Sequence, residues 1–226
     1  MEAKTKKRLL VGVGIFAVAT TVFVVWYKKV FLRQPPPADK LKTAFNPNQF
    51  LSPASGTVVA VRSFDSSDFT ENKYSAEDNI EGAVKLFAGD VDTSGTIISI
   101  HMGLDDIHFQ VCPMAATVTK IDYVRGSHKN AISKGADGII RYQNEHCSYL
   151  FETSGGIKYK VVQIAGFLAR RIESYVKQGQ QVNTGDKIGV INLGSQTTVI
   201  LPSSILCSAK VGDKVLVGAT VIGMLK

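Results

Sequence analysis

The apolar positions of this 226-residue chain follow two regimes. Leu9 to Tyr27 is an uncharged run of 19 residues, whereas from Val58 onward apolar residues come in short bursts broken by Gly, Asp and Asn. As a helix rising ~1.5 Å per residue, the first run spans about 28 Å, the depth of a bilayer's hydrocarbon core. Trp26 and Tyr27 close it as interfacial aromatics, between Lys6-Lys7-Arg8 and Lys28-Lys29. It predicts a single N-terminal transmembrane helix. Its end, Val24-Val25-Trp26-Tyr27, lacks the small residues of a signal-cleavage site, so the helix is expected to be retained. Basic residues on both flanks leave its orientation open. The short bursts predict strands at 58–62, 84–88, 95–101, 106–111, 116–124, 138–143, 147–152, 156–163, 187–191 and 197–201. One segment breaks the rhythm. Ile164, Phe167, Leu168, Ile172, Tyr175 and Val176 recur at helical spacing and predict an amphipathic helix over 164–176.

The chain therefore divides into a basic flank (1–8), an anchor (9–27), a linker (28–48) stiffened by Pro35-Pro36-Pro37, and a β domain (49–226). Residues 63–83 carry Asp65, Asp68, Glu71, Glu77, Asp78 and Glu81 and read as a solvated loop. Two segments resemble each other at an offset of 33 residues: Lys177 to Gly185 and Lys210 to Gly218, each with glycines six apart around a central Val. A turn-strand unit used twice is similar to the swapped hairpins of lipoyl-like folds. The expected class is mainly β (α+β), a barrel-sandwich-like domain with one amphipathic helix.

Charge changes the picture. The formal net charge is +7, but residues 1–42 hold nine Lys/Arg against Glu2 and Asp39, and residues 43–226 balance at 17 against 17. The β domain has no basic excess, which argues against nucleic acid and points to a membrane surface. Cys112, Cys147 and Cys207 are widely spaced, without a CxxC pair or a zinc-type His partner; they read as buried thiols, and no metal is expected.

Two stretches carry candidate chemistry. Asn192-Leu193-Gly194-Ser195-Gln196 lies between two predicted strands. As local structure it is a turn. As chemistry, Ser195 can attack the preceding carbonyl, since Gly194 has no Cβ to block the approach. The resulting ester can eliminate, splitting the chain and leaving a pyruvoyl group at 195. That nucleophile needs a base, and Ile97 to Pro113 concentrates His101, Asp105, Asp106 and His108. Arg170 and Arg171 on the predicted helix are either a solvated face or a contact for a phosphate or carboxylate.

Taken in order, these landmarks resemble the short bacterial and archaeal phosphatidylserine decarboxylases, including archaetidylserine decarboxylases. Phe31-Leu32-Arg33-Gln34-Pro35 is similar to the family's Phe-Phe-Arg-Asp-Pro, Leu51 to Gly56 to its Ser-Pro-Ala-Asp-Gly turn, and Asp106-Ile107-His108 to Pro113 to its Asp-Val-His…Pro segment. Gly126 to Ala131, Asn144-Glu145, Val162 to Ile172 and Leu193-Gly194-Ser195 extend the likeness over nearly the whole chain. The resemblance implies a membrane-bound proenzyme that cuts itself between Gly194 and Ser195 into a β chain (1–194) and an α chain (195–226). Pyruvoyl derived from Ser195 would be the cofactor, His108 the proton donor, Arg170 and Arg171 substrate contacts, and a phosphatidylserine-type lipid the substrate. A single-pass protein of the cell inner membrane is expected, and a homo-oligomer is compatible with the sequence.

The departures are specific. Ser55 stands where the family has the Asp that polarises the activating His, and a hydroxyl supplies no negative charge. Gln196, His146 and Ala116 also differ from the pattern. Two alternatives follow: an uncut, catalytically impaired membrane relative, and a phosphocarrier similar to glucose-type IIA domains, using His101 in His101-Met102-Gly103-Leu104-Asp105.

Overall fold

The computed structural model describes residues 2–28, 34–35, 46–66, 84, 87–126, 144–166, 172–191 and 195–226. A helix, α1 (Glu2–Trp26), precedes fourteen strands among these residues: β1 (Gln49–Leu51), β2 (Gly56–Phe64), β3 (Gly95–Met102), β4 (Phe109–Val111), β5 (Ala116–Val124), β6 (His146–Glu152), β7 (Lys158–Ala165), β8 (Ile172–Ser174), β9 (Gln181–Val182), β10 (Lys187–Ile191), β11 (Ser195–Pro202), β12 (Ile205–Cys207), β13 (Lys214–Val215) and β14 (Val221–Leu225).

Strand order exposes an internal two-fold. The large antiparallel sheet runs β13-β2-β3-β11-β7-β6-β5-β9, and two small sheets run β1-β14-β12 and β4-β10-β8. Exchanging β1 to β3 and β11 to β14 with β4 to β10 maps each sheet order onto itself or its mate. The axis passes between Val199 of β11 and Val161 of β7, which face each other and are fully buried. Hydrogen bonds repeat across it. Leu51 N–H donates to Pro113 O (3.2 Å) and Val111 N–H to Pro53 O (3.0 Å); Gly212 N–H donates to Val58 O (2.8 Å) and Gly179 N–H to Val118 O (2.7 Å). Both long first strands break register at the same place, between Val58 and Ala60 and between Val118 and Lys120. The paired glycines of the 33-residue repeat turn the chain at φ +84° and +86° (Gly179, Gly185) and +95° and +66° (Gly212, Gly218), a conformation side chains other than glycine's resist.

The large sheet is covered on both faces. One face packs Met102, Tyr149, Tyr159, Val199 and Leu201 against Phe50 and Ile188; the other packs Ile97, Val162, Ile164 and Ile200 under Val84, Phe87, Ala88 and Val91. β11, hydrogen-bonded on both edges and buried along its length, is the central strand. The cysteines are free, and burial pushes the Cys112 thiol up to about 12.

Four expectations need correction. The helix over 164–176 is not formed at either described end: β7 runs to Ala165, and β8 pairs Ile172 with Ile191. β7 takes in most of the strand expected over 156–163 and extends it to Ala165; of the six residues at helical spacing, Ile164 belongs to this strand and Ile172 to β8, while Phe167 and Leu168 lie outside the described residues. Ala88 N–H donates to Val84 O, a helical turn where a strand over 84–88 was expected. Over 106–111, only Phe109–Val111 is strand, because Asp106 closes a turn on Gly103. Finally, α1 starts at Glu2 and so takes in Lys4, Lys6, Lys7 and Arg8; among the described residues no helix is long and apolar enough to cross a membrane. Its side chains from Val13 to Val25 are nonetheless largely exposed apolar ones, Phe16 at 74%. The predicted strand at 138–143 lies outside the described residues.

Candidate active site

Ser195 is the first residue of β11 and sits opposite Met102 on β3 and Ala165 on β7. It is fully buried, and its Oγ has no hydrogen-bond partner among the described residues. Leaving a buried hydroxyl unpaired costs about 1–3 kcal/mol, so this one does not serve stability. Gly194, the other half of the predicted cleavage point, lies outside the described residues, as do Arg170 and Arg171.

Side chains alternate across a strand, which puts Ser195 and Thr197 on the face shared by Met102. A buried polar chain lies there. Tyr149 OH donates to Gln163 Oε1 (2.7 Å), Gln163 Nε2 donates to Gln110 Oε1, and Gln110 Nε2 reaches the His108 carbonyl (3.0 Å) and Met102 Sδ (3.4 Å). Gly189 lets β10 pass over it, since a Cβ there would stand 2.8 Å from Gln163 Nε2. Sequence reasoning did not single out these groups, although Gln110, two residues after His108, shares its side of an extended chain.

His108 is fully buried. Its carbonyl accepts from Ile191 N–H (3.2 Å), at the end of the strand that leads to Ser195. Its Nδ1 lies 2.8 Å from the Asp106 carbonyl, which only accepts, so Nδ1 carries the proton and Nε2 is the basic nitrogen. Burial holds the ring's pKa below the ordinary 6.5; the Asp106 carbonyl and the Asp106 charge oppose that shift. Asp106 is itself fixed, its Oδ2 accepting from Gly103 N–H (2.8 Å). Between the two carboxylates left open by the sequence, the structure places Asp106 beside the histidine.

Ser55 is buried, and its Oγ accepts the Val217 N–H (3.1 Å), so the hydroxyl braces the turn before β2. His101 falls on the opposite face of β3 from Met102, in register with Gln196. Among the described residues, no group of three or more His, Cys, Asp or Glu is placed to hold a metal ion.

Ser195, buried and without a hydrogen-bond partner for its hydroxyl among the described residues, thus opens β11, while the buried His108 is tied by its carbonyl to the end of β10. Comparison with known proteins identifies the family. The family model described as phosphatidylserine decarboxylase matches residues 27–223. The chain belongs to the phosphatidylserine decarboxylase family. It is 32% identical to the phosphatidylserine decarboxylase proenzyme of Desulfotalea psychrophila over 80% of this chain and 72% of that one. It is 29% identical to the phosphatidylserine decarboxylase proenzyme of Geobacter metallireducens, over 94% and 82%. With a protein of Methanocaldococcus jannaschii, provisionally named an archaetidylserine decarboxylase proenzyme, it shares 33% identity over 92% and 94%. The family match starts at Tyr27, so it leaves out all of α1 and takes in both halves of the two-fold.

Proposed function

We propose that this chain is a self-cleaving, pyruvoyl-dependent decarboxylase that converts a phosphatidylserine-type lipid to the phosphatidylethanolamine-type lipid plus CO2. The observation that carries the reading is the Ser195 hydroxyl, held in the core without a partner among the described residues. His108 Nε2 takes the proton from Ser195 Oγ, and Oγ attacks the Gly194 carbonyl carbon. Asp106 stabilises the imidazolium through its charge, the role for which Ser55 has none. Elimination then parts 1–194 from 195–226 and leaves the pyruvoyl group on residue 195. That group supplies a ketone that captures the lipid's amine and withdraws electrons as CO2 leaves. His108 Nε2 returns a proton to the substrate carbon, while Arg170 and Arg171 bind the anionic headgroup. Residues 9–27, with their basic flanks, hold the enzyme at the inner membrane, where its substrate is confined.

Intact-mass analysis of the purified protein tests this. Two fragments split after Gly194, the smaller one labelled by a carbonyl reagent, are expected; Ser195→Ala leaves one uncut chain. A single full-length species that no carbonyl reagent labels overturns the reading. One observation favours a second reading, an uncut lipid-binding relative: the family's acidic position is a serine whose hydroxyl is occupied by Val217. The same measurement separates the two.

A further inference from the structure

Resting on the self-cleavage proposed above, the geometry points to His101 as the hydrogen-bond donor that drives its second half, the elimination that opens the ester at Ser195.

Two steps with different demands make up the cleavage. In the first, Ser195 Oγ bonds to the Gly194 carbonyl carbon and the C–N bond breaks, so an ester forms and the Ser195 amine is freed. In the second, His108 Nε2, having passed the hydroxyl proton to the freed amine, takes the proton from Ser195 Cα, the Cβ–Oγ bond breaks, and the Gly194 carboxylate departs with the bonding pair. The enamine left at 195 becomes an imine, and water hydrolyses it to the ketone with release of ammonia. As the Cα proton leaves, its electrons delocalise onto the Ser195 carbonyl oxygen. A donor fixed on that oxygen stabilises the developing enolate, the same electrostatic contribution an oxyanion hole makes.

His101 is placed for this and not for the first step. Alternation along β3 and β11 puts it on the sheet face opposite Ser195 Oγ and Met102, beside Gln196 and Thr57. From that side it pairs across the ladder with Gln196, the residue after Ser195, and the Ser195 main chain is the backbone group that favours a proton on its ring. Its backbone is clamped, because β2 approaches so closely at Gly56 that a Cβ there would stand 2.1 Å from the His101 carbonyl oxygen. Its Nδ1 is buried without a hydrogen-bond partner among the described residues. Burial, the largest influence, lowers its affinity for a second proton, Asp106 opposes this, and Lys214 adds to it; the ring is therefore a neutral N–H donor near pH 7. The Ser195 hydroxyl and His101 thus lie on opposite faces of one sheet.

The test follows the ester in the full-length chain. His101→Phe is expected to form the ester and stall, slowing elimination about 10²-fold. Hydroxylamine then splits it after Gly194 into a hydroxamate-ended 1–194 and a 195–226 fragment that still begins with serine. Wild type gives a 195–226 fragment carrying the ketone, detected as its oxime, and His108→Ala gives no hydroxylamine-sensitive chain. His101→Gln, which keeps one N–H donor, recovers part of the rate and replaces the Phe variant if the latter loses its far-UV circular dichroism. Ketone formation in both variants at the wild-type rate overturns the assignment, and so does a folded variant that never forms the ester. A wild-type chain that never splits overturns the self-cleavage reading, and the assignment with it.

Discussion

Replacing Gln163 by Met keeps the side chain's length and removes both of its polar bonds. The change leaves Gln110 Oε1 without the amide that donates to it and the Tyr149 hydroxyl without its 2.7 Å acceptor. Each orphaned buried group costs about 1–3 kcal/mol. Tyr149 keeps a neighbour in the Ser174 hydroxyl, so Gln110 bears the larger share. We expect a loss of about 2–4 kcal/mol, which for a domain of this size lowers Tm by roughly 5–15 °C. Tyr149→Phe strands only Gln163 Oε1 and costs about 1–2 kcal/mol. Because the two side chains share a bond, the double variant should fall short of additivity by about 1 kcal/mol or more. Urea denaturation followed by circular dichroism in a Ser195→Ala background, which keeps every variant in one piece, gives all four corners of the cycle. A Gln163→Met loss within about 0.5 kcal/mol of zero, or an additive cycle, would refute the view that this chain of groups is a bonded unit.

Other expectations concern the site and the helix. Because burial makes His108 a weaker base than free histidine, it is deprotonated at pH 7, and its self-cleavage rate should fall only as pH drops below 6.5; a time course at several pH values that declines above 7 contradicts this. His101 and His108 both have lowered affinities, so the unfolded chain binds more protons below pH 6.5. Stability of the Ser195→Ala chain should therefore fall as pH drops through that window, and equal urea midpoints at pH 7 and 5 would count against it. Asp106→Asn keeps an acceptor for Gly103 N–H but removes the charge on the histidines, so the acid limb of self-cleavage should move to lower pH and the plateau rate should drop several-fold, both read by densitometry of the cut chain. Removing residues 1–27 should abolish flotation with anionic vesicles while leaving the β domain's melting curve in place; undiminished flotation would assign the membrane contact elsewhere.

How far the sequence could be read depended on what each signal was made of. The 33-residue repeat was visible because turns with positive φ demand glycine, and the glycines stand at matching positions. Its larger counterpart, Leu51-Ser52-Pro53-Ala54 against Val111-Cys112-Pro113-Met114, is held by main-chain bonds that tolerate many side chains, so little in the residues marks it. Strands with one wet face were legible by alternation, as β5 is, and β7, dry on both faces, was legible over 156–163 as an apolar run; the helix expected from 164 onward drew on Ile164 and Ile172, which belong to two different strands. Ser195 and His108 stood out because few residue types do nucleophilic and base chemistry. Asp106 and Asp105 are indistinguishable as letters, and only the turn closed on Gly103 separates them. The contribution of Gln110 and Gln163 depends on contacts far apart in sequence, beyond the reach of any local pattern.

The two halves of the fold are interleaved, and with the proposed cleavage after Gly194 this would give the protein a one-way history. Residues 195–226 hold β11 to β14, which are zipped to β3 and β7, to β2 and to β1 on the other side of the cut. The proposed scission there would turn a chain's folding into a meeting of two molecules. An intact precursor assembles with its ends tethered, whereas a cut pair, once melted, would have to find each other by diffusion, so its melting midpoint would depend on concentration. Each copy would then be built once, and heat would undo it more readily than cooling restores it.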